Sequence, residues 1–217
     1  MTGAAFFDVD KTLVRVNTSS HYVRWRVMQR TMSATMLAKA TWWGALYRFG
    51  MLDVQRIGET AAETLTGIAE DGFRHECATW VRREMDRHIT REARAEVARH
   101  QREGTPVVLL TSTSPYIAEP VASILGVSDV LSSKMEVTDG RFTGRLAGPL
   151  CYGPYKVHAA RRYAEERGVD LAASSFYTDS VTDLPMLEAV GEPRVINPDP
   201  RLSRLARQRG WRVETWM

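Results

Sequence analysis

The 217-residue sequence contains only two cysteines, Cys77 and Cys151, far apart and without metal-binding spacing. That scarcity argues against a disulfide scaffold and favours a reduced, cytoplasmic compartment. Long apolar runs are missing as well. No stretch of about 18 uncharged apolar residues occurs, so no membrane-spanning helix is expected. Asp8, Asp10 and Lys11 stand where a secretory signal would need its apolar core. The expectation is a soluble protein, or one at most peripheral to a membrane. Nor does one sign of charge dominate: 29 Lys and Arg face 26 Asp and Glu, a formal net charge of +3. So weak a bias gives no argument for nucleic acid and is compatible with small anionic substrates. Repeats and low-complexity segments are also missing, and the length suits one large domain or a core with a smaller insert.

What is present is organised around FFDVDKTLV, residues 6 to 14. Ala4 to Phe7 read as a short buried strand that ends in two carboxylates, Asp8 and Asp10, two positions apart. The side-chain period of a strand can aim both the same way at its carboxyl end, where open α/β sheets bind ligands. Two adjacent negative charges call for a cation, and a hard ion such as Mg2+ suits oxygen ligands. A pair of capping or turn aspartates is the other reading of this motif alone.

Residues 15 to 103 read as nearly all helix. Ser19 or Ser20 can cap a first helix with Tyr22, Trp25, Met28 and Met32 at helical spacing. Ser33 can cap a second that runs to Gly50, with Met36, Ala40, Trp43 and Tyr47 on one face. Asp53 opens a third that stops near Gly67, and a fourth from about Asp71 carries Phe73, Cys77, Trp80, Val81 and Met85. The aromatic stripe reads first as core. Arg24, Arg26, Arg30, Arg48 and Arg56 near Trp25, Trp42, Trp43 and Phe49 would also suit peripheral contact of this segment with an anionic membrane.

From residue 104 strands and helices alternate. A helix from near Thr90 ends at Gly104, and PVVLLT (106 to 111) suits a parallel strand buried on both faces. Ser114 and Pro115 open a helix, DVLSS (129 to 133) is a weaker strand, and Asp139 with Gly140 marks a hairpin. Gly153 and Pro154 introduce a helix carrying Lys156 near its start. SSFYTD (174 to 179), PRVIN (193 to 197) and WRVET (211 to 215) complete the sheet, with Pro200 starting the helix between the last two. The alternation implies an α/β fold with a doubly wound, mostly parallel sheet. In such a sheet Asp8, Asp10, Thr111, Ser112, Lys156, Asp179 and Asp183 gather at one crevice. Carboxylates, a lysine and a hydroxyl there describe a Mg2+ site beside a phosphoryl group.

The set DVDKT, VVLLT, GPYK and DSVTD, with a helical insert after the first motif, resembles the haloacid dehalogenase superfamily of phosphatases. The insert position resembles its phosphoserine phosphatase-like branch. DGRFTG, CYGPYK and the stretch from Asp179 to Trp211 resemble bacterial subfamily IB hydrolases. The resemblance implies a Rossmann-like core of residues 1–14 and 104–217 and an inserted helical C1-type cap of residues 15–103. It further implies a phosphomonoesterase with Asp8 as nucleophile, Asp10 as general acid and base, and Thr111 and Lys156 as catalytic groups on the phosphoryl oxygens. Ser112 is an alternative register for Thr111. The implied Mg2+ ligands are Asp8, the main-chain carbonyl of Asp10, and Asp179, with Asp183 supporting. The expected partner is a small-molecule phosphomonoester, with no nucleic acid.

Two positions depart from the family pattern. Thr178 stands where the fourth motif usually opens with glycine, and RVNTSSH offers Asn17 where phosphoserine phosphatases usually carry a glutamate for the substrate ammonium. An amide cannot pair with an ammonium charge, which counts against phosphoserine. Other readings of the same carboxylates are a lipid-phosphate phosphatase, a phosphoacceptor switch, and phosphotransfer to an alcohol.

Overall fold

A computed structural model of the chain describes residues 2–29 and 54–217. The expected helix from Ser33 to Gly50, and with it Met32, Trp42, Trp43 and Asp53, lies outside the described residues. The central sheet has six parallel strands in the order β3-β2-β1-β6-β7-β8. They are β1 (Ala5–Phe7), β2 (Val107–Thr111), β3 (Asp129–Ser132), β6 (Ser175–Thr178), β7 (Glu192–Ile196) and β8 (Arg212–Glu214). The first strand is central, pairing Phe7 with Leu109 on one side and with Tyr177 on the other.

Burial on both faces explains the apolar run that forms β1. Ala5 and Phe7 enter one cluster with Val97, Leu109 and Tyr177, whereas Ala4 and Phe6 enter another with Val108, Phe176 and Ala160. The described helices are α1 (Thr18–Met28), α2 (Val54–Glu63), α3 (Glu70–Trp80), α4 (Arg91–Arg102), α5 (Pro115–Ile124), α6 (Pro154–Arg167), α7 (Leu184–Ala189) and α8 (Pro200–Arg209). The expected hairpin forms a separate antiparallel pair, β4 (Met135–Thr138) and β5 (Arg141–Leu146). Asp139 and Gly140 between them both have positive φ, as a two-residue hairpin turn requires.

Several boundaries differ from the sequence expectation. The cap of α1 is Asn17 rather than Ser19 or Ser20: its side chain accepts from the Ser20 amide. The helix expected to run to near Gly67 ends at Glu63, and a turn follows. Ser114 occupies the N-cap of α5 without a side-chain capping bond, whereas Thr90 caps α4 through the Ala93 amide. Most of the stripe read as core is core: Phe73, Cys77, Trp80, Val81 and Met85 are buried, and Tyr22 and Trp25 pack against them. Met28 is the exception and lies exposed. After α3 the chain continues through a π-turn at Val81–Met85 and a 3-10 turn at Asp86–His88.

Helix α4 is tied to the sheet by a polar network. The Tyr177 hydroxyl donates to Glu96 at 2.6 Å, and Arg99 grips both carboxylate oxygens of Glu96. The Arg99 contacts, against an opposing effect of burial, hold the Glu96 carboxyl down from 4.5 to about 2. A depressed folded-state pKa gives stability that is complete above the unfolded value and lost as pH falls toward the folded one. Glu96→Gln is therefore expected to lower the melting temperature at pH 7 and to lose less than the wild type between about pH 4.5 and 2, as thermal melts across that range will report. Parallel losses in the two proteins would contradict this role.

Candidate active site

The site is built where the strands end. Phe7 is the last residue of β1, and Asp8 continues its line, its amide donating to the Tyr177 carbonyl at 2.9 Å. The chain then turns sharply. Lys11 adopts φ +56°, an uncommon conformation for a side chain with a Cβ. Asp10 emerges from this turn partly exposed, whereas Asp8 is buried. Gly153, at φ +53°, leads into α6, and Lys156 in the first turn of that helix reaches back beneath the strand ends.

Lys156 is 2 % exposed and donates to two carboxylates, Asp8 Oδ1 at 2.9 Å and Asp183 Oδ2 at 2.7 Å. The Thr178 hydroxyl donates to the same Asp183 oxygen at 2.6 Å. Asp183 therefore does not act as a side-chain cap for α7, although it occupies that position. Burial, set against the attraction of Lys156, pushes the Asp8 carboxyl up to about 6, and Asp183 adds to the rise. Burial and the Asp8 charge push Asp179 up to about 7. Both carboxylates thus combine burial, the larger cause, with neighbouring negative charge, and a cation would favour their charged forms. The Lys156 ammonium is shifted upward despite burial because Asp183 and Asp8 hold its charge.

Asp10 occupies a different environment. Its Oδ1 accepts the Thr18 amide at the start of α1 and its Oδ2 accepts the Asn17 side-chain amide, both at 2.9 Å. Burial raises its pKa, opposed by the Thr18 contact. Thr111 ends β2 with its hydroxyl buried and accepting the Thr113 amide at 3.2 Å. Ser112, the alternative, is half-buried and lines the cavity between α1, α2 and the hairpin.

Sequence reasoning missed three supports. Asn17 and Thr18 anchor Asp10, and the only local signal was their polar character at a helix start. Thr178 departs from the family glycine yet supplies the Asp183 hydroxyl partner. Asp199 reaches back across 18 residues to accept the Val181 amide, and its own amide donates to the Asp179 carbonyl at 2.8 Å. Asp199 precedes the Pro200 that marks the helix start, but nothing local identifies it as the brace of the loop from Asp179 to Asp183.

The donor set fits a hard divalent ion. Among the described residues no three His, Cys, Asp or Glu side chains are arranged as a metal cage. Mg2+ needs none, since it is usually held by one or two carboxylates, with waters and substrate oxygens completing the shell. Asp183 Oδ1 is buried without a hydrogen-bond partner, as expected of an atom beside a cation or its bound water.

Comparison with known proteins places the chain among relatives. Residues 5–188 match the family model for haloacid dehalogenase-like hydrolases. The chain belongs to that family. It is 34% identical to phosphoserine phosphatase SerB1 of Mycobacterium tuberculosis over 222 residues, covering 98% of this chain and 70% of that protein. It is 27% identical to a histidinol-phosphatase of Neisseria meningitidis, covering 98% of each. A crystal structure of a Bordetella pertussis protein of unknown function superposes with a TM-score of 0.90 at 27% identity, covering 98% of both chains. A phosphoserine phosphatase solved as a phospho-aspartyl intermediate analogue shares the fold, with a TM-score of 0.67 at 18% identity over 94% of this chain and 90% of that one. The protein is thus an enzyme of the phosphoric monoester hydrolase class.

Removing one member of a buried ion cluster leaves the others uncompensated, at a cost of about 3 to 5 kcal/mol. Lys156→Met is expected to lower the unfolding free energy by that amount, measured by urea denaturation at pH 7. A loss below about 1 kcal/mol, the range of exposed pairs, would show that the cluster is not held as described.

Proposed function

We propose that the protein is a Mg2+-dependent phosphatase that hydrolyses a small organic phosphomonoester through an aspartyl-phosphate on Asp8. The observation that carries this reading is the unequal treatment of the two motif carboxylates. Asp8 is paired with a buried ammonium, whereas Asp10 is held by neutral amides at the opening of the crevice. A carboxylate whose charge is compensated can approach an anionic phosphate as a nucleophile. A carboxyl with a raised pKa beside it can supply a proton.

In the first step an Asp8 oxygen bonds to phosphorus while the ester oxygen leaves with the Asp10 proton. In the second, Asp10 takes a proton from water as that water attacks phosphorus, the bond to Asp8 breaks, and inorganic phosphate departs. Lys156 offsets charge repulsion in both steps, and Thr111 donates its hydroxyl to a phosphoryl oxygen, with Ser112 beside it. Asp8, the main-chain carbonyl of Asp10 and Asp179 would hold Mg2+, with Asp183 supporting, and the ion would neutralise the phosphoryl oxygens.

Residues 15–103 are proposed as the cap, of which α4 packs on the sheet through Val97 and His100. Relatives named for phosphoserine and histidinol phosphate make an amino-acid-like phosphate one candidate. Phosphoserine is disfavoured because the Asn17 side chain is already engaged with Asp10 and the Ser20 amide. Asp10 placed for acid and base work favours hydrolysis over a slow phosphoacceptor switch. Two cysteines, both free and buried, fit the cytoplasm. No described helix is long and apolar enough to cross a membrane. Membrane contact through Trp42 and Trp43 involves residues outside those described.

Phosphate release from p-nitrophenyl phosphate should require Mg2+ and stop on chelation. Asp8→Asn should abolish it, and Asp10→Asn should reduce it about 10²- to 10⁴-fold. Release that persists in Asp8→Asn would remove Asp8 from the reaction.

A further inference from the structure

Beside the crevice lies a cavity of about 320 Å3 between α1, α2 and the β4–β5 hairpin. One wall is linked to the Asp10 carboxyl through short contacts. Asp10 accepts the Thr18 amide, Thr18 Oγ1 lies 3.3 Å from Thr113 Oγ1, and Thr113 lines the cavity with Ser112. Ser112, next to the Thr111 proposed to hold a phosphoryl oxygen, is thus a wall of the cavity, which puts this space beside the leaving group of a phosphoryl at Asp8. Ser19, Thr64, Ser114 and Ser133 add hydroxyls, yet the walls are mainly hydrocarbon, with Ile57, Leu65, Phe73, Ile117, Leu146 and Leu150 among them. Among the described residues no Asp or Glu lines the cavity, and Arg26 is the one charged group that does. That arginine pairs with Glu76 at 3.3 Å.

An amino-acid leaving group brings an ammonium and a carboxylate, each costly to desolvate without a partner. Here the described walls offer no anion for the first, and the one cation already has a carboxylate partner. An apolar leaving group meets the opposite situation, because each methylene that enters the cavity leaves water. Helix α2 packs closely enough to define the cavity's depth: a Cβ on Gly58 would lie 2.6 Å from Leu150 Cδ1, and Gln55 accepts the Leu150 amide at 3.3 Å. With about 30 Å3 for each water-sized group, the space holds roughly ten such groups. That is a medium aliphatic or aromatic alcohol rather than a complete long acyl chain.

We infer that this cavity is the leaving-group subsite and selects phosphomonoesters of uncharged apolar alcohols over amino-acid phosphates. The inference rests on the phosphatase reading above and adds the substrate class to it. Two measurements on the full chain with Mg2+ separate them. In the first, kcat/KM is compared for ethyl, butyl and hexyl phosphate and for O-phosphoserine. It should rise roughly 250-fold from ethyl to hexyl if all four added methylenes are buried, at about fourfold for each, with O-phosphoserine below hexyl phosphate. Ala61 lines the cavity and is exposed, so Ala61→Phe should fold and narrow the space, collapsing the hexyl-to-ethyl ratio. In the second, calorimetry compares hexylphosphonate with ethylphosphonate, and the hexyl compound should bind more tightly. Turnover with equal kcat/KM along the series, or with O-phosphoserine preferred, overturns the inference and leaves the reaction standing. Tighter hexylphosphonate binding with no turnover of any ester supports the subsite and overturns the reaction. Equal phosphonate affinities overturn the subsite whatever the turnover.

Discussion

The ammonium of Lys156, held between Asp8 and Asp183, is the contact on which the rest of the site depends. It joins three elements distant in sequence: the end of β1, the first turn of α6, and the loop after β6. A lysine this buried would lose its proton if burial acted alone, yet the two carboxylates hold it charged. The carboxylates in turn remain usable as anions because the ammonium is there. Neither half of this arrangement is stable in an apolar interior without the other, so the sheet, α6 and the braced loop must all be in place before the site exists.

The parallel sheet supplies that order. Its two fully buried faces fix β1 between β2 and β6, and register brings Phe7, Leu109 and Tyr177 level, so that Asp8, Thr111 and Asp179 leave their strands at one edge. Asp10, two residues beyond Asp8, escapes the ion cluster because the chain turns at Lys11 and hands its carboxylate to the start of α1. Two carboxyl groups of one motif thereby acquire different surroundings, the physical condition for different roles. The link to α1 also ties Asp10 to a helix that borders the apolar cavity, so Asp10 and the proposed leaving-group subsite share one support.

Much of this was legible in the sequence because it depends on local pattern. Continuous apolar runs gave the buried strands, Pro and Gly gave the helix limits around α6, and carboxylates at strand ends gave the crevice. What escaped depends on partners that only folding brings together. Asn17 reads as a polar residue near a helix start, but its bond to Asp10 required the turn at Lys11. Thr178 looked like a departure from a glycine pattern until its hydroxyl was found on Asp183. Asp199 caps α8 with one oxygen and braces the Val181 amide with the other, a second bond that depends on the folded loop. The cavity could not be read from sequence because its walls come from α1, α2, β4, β5 and the segment after β2, each unremarkable alone.

The central claim is that Asp8 carries the phosphoryl group during turnover. Acid quench of the working protein, followed by peptide mass spectrometry, tests it most directly. The account predicts a phosphorylated peptide containing residues 6 to 14, modified at Asp8, and enriched in Asp10→Asn, where the water attack is impaired. Substrate turnover with no adduct on Asp8, or an adduct on another residue, would contradict it.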